Sequence, residues 1–360
     1  MPNSGICSIT MTRFVKLRGD EKVLIIRTDR IGDLVLTTPL FEALKIKYPQ
    51  LKVTALVNDY ARPILENNPF VDEVIIYSAA DQNSLLNTLR EKRFNVAILV
   101  YPRFRLAWLT YRAGIQVRIG TAYRWYSFFF THKIHQHRKQ VDKHELEYNL
   151  ELLAPLGLKV QGILPSIFLS KSELQAVEQL WQRHGLRPED LKVAIHPGGG
   201  RSSLRWSENN FAELAWKVSR DLGGKIILTG TESERSLTDQ ISRKLPSEVI
   251  DLIGKLNLRE LAAALSRTNL IVTNSTGPMH MAAALGVKVV ALFCPIKTAS
   301  PVRWGPCGQG HQVLLPPVTP CHCSVDRCRR GNCMGLITIE EVFHRVEVAL
   351  KSISTGAGKN

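Results

Sequence analysis

Three short segments of the chain carry the groups needed to move a proton and to hold a phosphate. Asp33 follows Gly32 shortly after the apolar run 23–27 (VLIIR). A carboxylate in that place has the chemistry of a general base, and equally that of a turn or cap residue. Residues 193–195 run into His196-Pro197-Gly198-Gly199-Gly200-Arg201-Ser202-Ser203, with Arg205 just beyond. Consecutive glycines let the backbone curl around an anion, and the hydroxyls, Arg201 and Arg205 add donors. This is neither the phosphate loop of the P-loop NTPases nor the dinucleotide G-x-G-x-x-G, which argues against an NTPase or an ordinary dehydrogenase. The third segment is 269–295 (NLIVTNSTGPMHMAAALGVKVVALFCP). Its apolar β-branched runs flank a helix announced by Asn274, Ser275, Thr276, Gly277 and Pro278 and closed by Gly286. A strand, a hydroxyl-rich turn and a helix N-terminus offer free N–H groups and the positive end of a helix dipole to a phosphate. An ordinary, well-capped βαβ unit would be spelled the same way.

The elements that must position these groups follow from periodicity. Apolar runs at 23–27, 52–57, 73–77 and 95–100 alternate with helical or polar stretches, which predicts a parallel sheet with helices on both faces. Thr38 and Pro39 read as the cap and first turn of a helix, leaving Asp33 on a loop at the C-terminal edge of the sheet, where open α/β folds bind ligands. The segment 103–118 mixes Phe104, Trp108 and Tyr111 with Arg103, Arg105, Arg112 and Arg118, and 125–130 adds WYSFFF. An amphipathic basic helix of this kind lies on a membrane, faces an amphiphilic substrate, or packs its aromatic stripe into the core. A helix at 145–156 ends at Gly157, and 159–170 reads as an extended linker. Beyond it a helix at 172–184, capped by Ser172, opens a second run of βα units with strands at 193–195, 225–228 and 249–252. A loop at 254–258 then precedes an Ala-rich helix at 261–265. Glu232, just past the 225–228 strand, is placed either to accept from ribose hydroxyls or simply to start a helix.

Composition narrows the function classes. The 360 residues suffice for two domains, and 44% hydrophobic with 22% charged residues is ordinary for a globular chain. No apolar run is long enough to span a bilayer, and residues 1–20 lack a signal-peptide core, so a cytoplasmic location is expected. The formal charge of +15 implies a polyanionic partner. With no nucleic-acid module in the sequence, an anionic membrane surface is the better match than nucleic acid. The basic segment 132–144 (HKIHQHRKQVDKH) belongs to that surface or to a solvated loop or helix face. Cys321, Cys323, Cys328 and Cys333 fall close together in a pattern that is not a standard zinc knuckle, leaving reduced thiols or a bound metal as alternatives.

The ordered motifs IIRTDRIGDLVLTTP, HPGGGRSSLRW, LTGTESER, IGKLNLRELAAAL and TNSTGPMHMAAALG, spread over 23–342, resemble the ADP-heptose:lipopolysaccharide heptosyltransferases, glycosyltransferase family 9. The resemblance implies the α/β glycosyltransferase B (GT-B) architecture, two Rossmann-like domains facing a central cleft. The acceptor-binding half would be 1–165, and the half that binds the nucleotide sugar, with its Cys-rich C-terminal segment, 166–360. It also implies inverting transfer of heptose from ADP-L-glycero-D-manno-heptose to the lipopolysaccharide inner core, with no metal or other cofactor, by an enzyme peripherally associated with the inner membrane. No Asp-x-Asp triplet is present, which agrees with that chemistry. By the same resemblance Asp33, beside Gly32, is the catalytic base, and Arg205 takes the place of a phosphate-binding lysine. Gly200, Arg201, Ser275, Thr276, Gly277 and His280 surround the donor, Glu232 (or Glu234) holds the ribose, and Leu256 borders adenine. The acceptor is expected among Arg30, Arg103, Arg105 and the 132–144 segment. Ser275 stands where the family usually has Asp, which leaves open another nucleotide sugar or acceptor, an epimerase, or a non-catalytic nucleotide-sugar-binding protein.

Overall fold

A computed structural model describes residues 14–199, 204–244, 249–318, 321, 323 and 333–356. Six parallel strands form an N-terminal sheet: β1 (Lys22–Arg27), β2 (Lys52–Val57), β3 (Glu73–Ile76), β4 (Val96–Leu99), β5 (Val117–Thr121) and β6 (His132–Ile134), in the order β3-β2-β1-β4-β5-β6. A second parallel sheet comprises β7 (Lys192–His196), β8 (Lys225–Leu228), β9 (Val249–Asp251), β10 (Leu270–Asn274), β11 (Lys288–Leu292) and β12 (Gln312–Leu314). Its order, β12-β11-β10-β7-β8-β9, repeats the first when each half is counted from its own first strand. Central strands covered on both faces need apolar interiors, and β1, β7 and β10 have them in residues 23–26, 193–195 and 270–272, all buried. Strand order reverses between β1 and β4 (Val23 beside Val96) and between β7 and β10 (Ala194 beside Ile271). In such folds the crevice beyond those strand ends binds the ligand.

The two halves are Rossmann-like and face one another, as the motif resemblance implies. Residues 158–170 carry neither helix nor strand. One hydrophobic cluster runs through both halves, joining Val23, Ile25 and Leu34 to Ala194, Ile271 and Met279. Arg259, nearly buried on the helix Leu258–Ser266, ties the halves from another side. It donates to Glu173 Oε1 and Oε2 (2.6 and 2.8 Å), Phe168 O (2.7 Å) and Pro63 O (3.0 Å).

Several boundaries differ from the sequence expectation. A five-residue helix, Ile31–Val35, precedes the helix Thr38–Lys47, so Asp33 lies in a first helical turn and not on a loop. Thr37 occupies the cap position of the longer helix, while the Thr38 hydroxyl bonds to Val35 O at 2.8 Å. Ser170, not Ser172, caps the helix Lys171–Arg183, in a reciprocal capping box with Glu173. Asn257 caps Leu258–Ser266 likewise with Glu260, which starts that helix earlier than its alanines suggest. The predicted 145–156 helix is Glu145–Glu151 followed by a 3-10 turn, Ala154–Leu156. Strands β5, β6 and β12 are short and partly exposed, and their sequences carry little of the apolar signal that marked the others. Among the described residues no helix is long and apolar enough to cross a membrane.

Candidate active site

Asp33 is held by Arg27. Strand β1 is apolar from Val23 to Ile26 and ends in Arg27, whose guanidinium is nearly buried at the sheet's C-terminal edge. Its Nη2 donates to Asp33 Oδ1, its Nε to Asp29 Oδ1 at 2.7 Å, and its Nη1 to Glu145 Oε1 and Asn149 Oδ1, both at 3.3 Å. Burial opposes the charge on Arg27, but Asp29, Asp33 and Glu145 outweigh it and hold the group protonated. Burial is also the largest influence on Asp29. The charge of Asp33 adds to it, Arg27 opposes both, and the Asp29 carboxyl is pushed up to about 7. A carboxylate that shares its guanidinium in this way is fixed in direction before substrate arrives, which is what a general base requires.

Glu145 gathers three arginines. Besides Arg27, it accepts from Arg138 Nη1 at 2.5 Å, and from Arg303 Nε and Nη2 at 2.9 and 2.8 Å on Oε2. Burial would raise its pKa, yet Arg138, Arg27 and Arg303 hold the carboxyl below its usual range. Arg303 belongs to the C-terminal half, so this buried carboxylate pins the two halves together. Of these residues only Arg138 falls in a segment, 132–144, that the sequence assigns to the site; Arg27, Asp29, Glu145 and Arg303 are not expected there. For Arg27 the available signal is an arginine that follows the apolar run 23–26.

The opposite wall is the start of the helix Gly277–Ala284. The expectation that the side chains of Asn274, Ser275 and Thr276 cap it is corrected, since no side chain makes a capping bond there. Asn274 turns back, its Nδ2 donating to Pro197 O at 2.9 Å and its Oδ1 accepting from Trp206 N–H at 3.0 Å. Thr276, in the cap position, makes no capping bond, and its hydroxyl lies 3.2 Å from that of Thr273. Ser275 gives its N–H to Leu292 O at 3.2 Å. The first turn therefore presents N–H groups without a side-chain cap and the positive end of the helix dipole. One turn in, His280 is buried against Gly32: a Cβ on that glycine would lie 2.6 Å from His280 Cδ2. Its Nδ1 has no hydrogen-bond partner among the described residues, and burial, with His144 nearby, pushes its pKa down to about 3, so the ring is neutral.

Both walls line one cavity of about 880 Å³. Gly32, Asp33, Ser275, Thr276, Gly277 and His280 are brought together there, with Arg27, Asp29, Arg138, Glu145 and Arg303. Arg30 and residues 137–140 of the basic segment also line it, whereas Arg103 and Arg105 lie outside. Arg205, Glu232 and Leu256 are not in its lining; they stand along the C-terminal edge of the second sheet. Arg205 stacks its aliphatic part on Gly199, where a Cβ would meet Cδ at 2.8 Å. Glu232 is exposed, paired with Arg235 at 2.6 and 2.8 Å, and packed against Gly254, which brings it beside the loop holding Leu256. Glu234 turns inward and accepts the Gly199 N–H at 3.2 Å, so in its described part the glycine loop curls around a carboxylate of the protein itself. Gly200 and Arg201 lie outside the described residues, as does Cys328. Cys321 and Cys323 are half-buried and Cys333 is buried, and among the described residues no group of three His, Cys, Asp or Glu side chains is placed to hold a metal ion.

Two doubly wound sheets with a shared cleft between their C-terminal edges define a GT-B enzyme. Residues 83–334 match glycosyltransferase family 9 (heptosyltransferase), and the chain belongs to that family: it is a glycosyltransferase. It is 27% identical over 310 residues to a Haemophilus influenzae protein named "Putative glycosyltransferase", covering 82% of this chain and 90% of that one. With lipopolysaccharide heptosyltransferase 2 of Escherichia coli it shares 25% identity over 336 residues, 83% of this chain and 95% of the other. Its fold matches a family 9 glycosyltransferase of Veillonella parvula with a TM-score of 0.81 at 23% identity, over 94% and 99% of the two chains. ADP-heptose lipopolysaccharide heptosyltransferase II of Escherichia coli matches with a TM-score of 0.76 at 24% identity, over 92% and 99%.

Proposed function

We propose that the enzyme transfers L-glycero-D-manno-heptose from its ADP donor to an inner-core sugar of lipopolysaccharide, with inversion and without a metal, at the cytoplasmic face of the inner membrane. The observation that carries this reading is the opposition of Asp33 and the uncapped helix start at Gly277 across one cavity. Asp33 takes the proton of the acceptor hydroxyl as that oxygen bonds to the anomeric carbon. The bond from that carbon to the diphosphate oxygen breaks on the opposite side, and ADP leaves with the electron pair. The helix dipole at Gly277, Thr276 and Arg205 offset the charge developing on the diphosphate, a type of contact commonly worth about 3 to 4 kcal/mol of barrier. Glu232 and Leu256 serve the ribose and adenine, while Arg30 and residues 137–140 face the acceptor. A glycolipid bearing phosphates and acidic sugars suits a chain of net charge +15.

The test is release of ADP from ADP-heptose, with and without heptose-deficient lipopolysaccharide, chelator being present throughout. Acceptor-dependent release that collapses in Asp33→Asn while donor binding persists is the expected result. Near-normal turnover of Asp33→Asn at saturating acceptor would remove Asp33 from the role of base. Ser275 supports one alternative, a different nucleotide sugar, and a folded protein that releases nothing from ADP-heptose but turns over another donor would establish it.

A further inference from the structure

The N-terminal half exposes aromatic side chains in one contiguous facet. Trp125 is 73% exposed, Phe128 61%, Tyr111 53% and Phe104 40%. They touch one another or share Phe129: Phe104 stacks on Trp125 with centroids 4.9 Å apart, Trp125 meets Phe128 at 6.4 Å, Phe128 meets Phe129 at 4.4 Å, and Phe129 meets Tyr111 at 5.3 Å. The helix Phe104–Arg112 explains the arrangement. Leu106, Ala107, Leu109 and Thr110 face the core, which leaves Phe104, Arg105, Tyr111 and Arg112 pointing outward. The loop after β5 then lays Trp125 and the 3-10 turn Ser127–Phe129 against that outer face. Scattered apolar residues on a surface need no explanation, but four large aromatics in contact do.

Charge identifies the occupant. From residue 92 to 141 the sequence contains ten lysines and arginines and not one Asp or Glu. Arg103, Arg105, Arg112 and Arg124 flank the facet and are exposed. Aromatic side chains amid cations, in a stretch of chain that contributes no carboxylate of its own, match the interfacial layer of an anionic bilayer, where rings enter the headgroup region and guanidiniums meet lipid phosphates. The facet also adjoins the cavity. Tyr123 and Arg124, next to Trp125 in the chain, line it, and the buried Tyr126 donates to the O of Pro102, another lining residue, at 2.6 Å.

We infer that this aromatic facet, built on Phe104, Tyr111, Trp125 and Phe128, docks the enzyme onto an anionic phospholipid surface with the mouth of the cavity at the lipid headgroups. The inference rests on the proposed membrane-borne acceptor for its purpose but not for its test. It would let the enzyme search in two dimensions for an acceptor whose sugars stand just above that surface.

The experiment is co-sedimentation of the full chain with vesicles of phosphatidylcholine alone or with about one third phosphatidylglycerol, with neither donor nor acceptor present. The chain should sediment with the anionic vesicles, weakly with the neutral ones, and less as salt rises. The double variant Trp125→Ser, Phe128→Ser removes only exposed rings and should keep its circular dichroism while its partitioning falls about tenfold or more. Unchanged partitioning of the folded double variant, or no sedimentation of the native chain, would overturn the inference. So would a native dimer that the double variant converts to monomer in sedimentation velocity, since the facet would then belong to a second copy. A second arm separates this inference from the proposed activity. The double variant should transfer normally to a deacylated, water-soluble acceptor and about tenfold more slowly to the same acceptor in vesicles. Docking without transfer to either acceptor would overturn the activity and leave the docking surface standing.

Discussion

Arg303, from the C-terminal half, closes on Glu145 of the N-terminal half with Nε and Nη2 at 2.9 and 2.8 Å from one carboxylate oxygen. The other oxygen of that carboxylate accepts from Arg27, the residue that also holds Asp33. Asp33 and the contact between the halves thus share one buried guanidinium. Replacing Glu145 by Ala would take from Arg138 and Arg303 the buried carboxylate they share, with Asp29 and Asp33 still on Arg27, and should cost about 3 to 5 kcal/mol of stability. Arg303→Ala is milder, because Arg27 and Arg138 remain on Glu145. Its melting temperature should change little while kcat/KM falls about a hundredfold, the scale set by a misalignment of about 1 Å between reacting groups. Calorimetry beside steady-state kinetics checks both. Native kcat/KM in Arg303→Ala would show that the contact does not align the halves.

Gly32 and His280 make a second contact across the cleft, and here the space is the constraint. A methyl group on Gly32 would fall 2.6 Å from the His280 ring, closer than any real contact, so the buried ring or the facing helix must shift to admit it. Gly32→Ala should therefore destabilise the protein by about 1 to 3 kcal/mol and depress kcat by holding the halves apart. His280→Ala makes room for that methyl. In the double variant the stability loss should be smaller than the sum of the two single losses, measured as a double-mutant cycle in urea. Additive losses would mean that the two sites do not press on one another.

These relationships were partly legible in the sequence. The two runs of βα units, the order of the motifs and the ligand edge of each sheet follow from apolar periodicity and turn chemistry, which are local. The helix start at Gly277 is readable for the same reason, and so is Asp33 as either a base or a turn residue, whereas His280 enters only through the motif resemblance. Glu145 was not, because its meaning comes from Arg27, Arg138 and Arg303, which are distant in sequence and meet only after both sheets have formed. The capping expectation failed at Asn274 because a tertiary demand outweighed a local one. Buried between two loops, the amide satisfies the Trp206 N–H and the Pro197 carbonyl, and unsatisfied buried groups would cost more than an uncapped helix start. Strands β5, β6 and β12 were missed because short, half-exposed strands lack the apolar run by which strands are recognised.

Asp29 gives the site a titration near neutrality. Its carboxyl, ordinarily near 3.8, is pushed up to about 7 by burial and by the charge of Asp33, against the pull of Arg27. A carboxyl that holds its proton more tightly in the folded chain contributes stability that is complete below about pH 4 and is lost as pH rises towards 7. Catalysis responds in the opposite sense. Ionised Asp29 puts a second negative charge beside Asp33, the proposed base, so turnover should rise with an inflection near pH 7. In Asp29→Asn the neighbour is neutral at every pH, the inflection should vanish, and thermal stability should no longer decline between pH 4 and 7 on this account. Both readouts are needed, because a merely structural Asp29 would move the stability profile and leave the rate profile unchanged. An Asp29→Asn enzyme that keeps the inflection in kcat would assign that titration to another group and reduce Asp29 to a partner that orients Arg27.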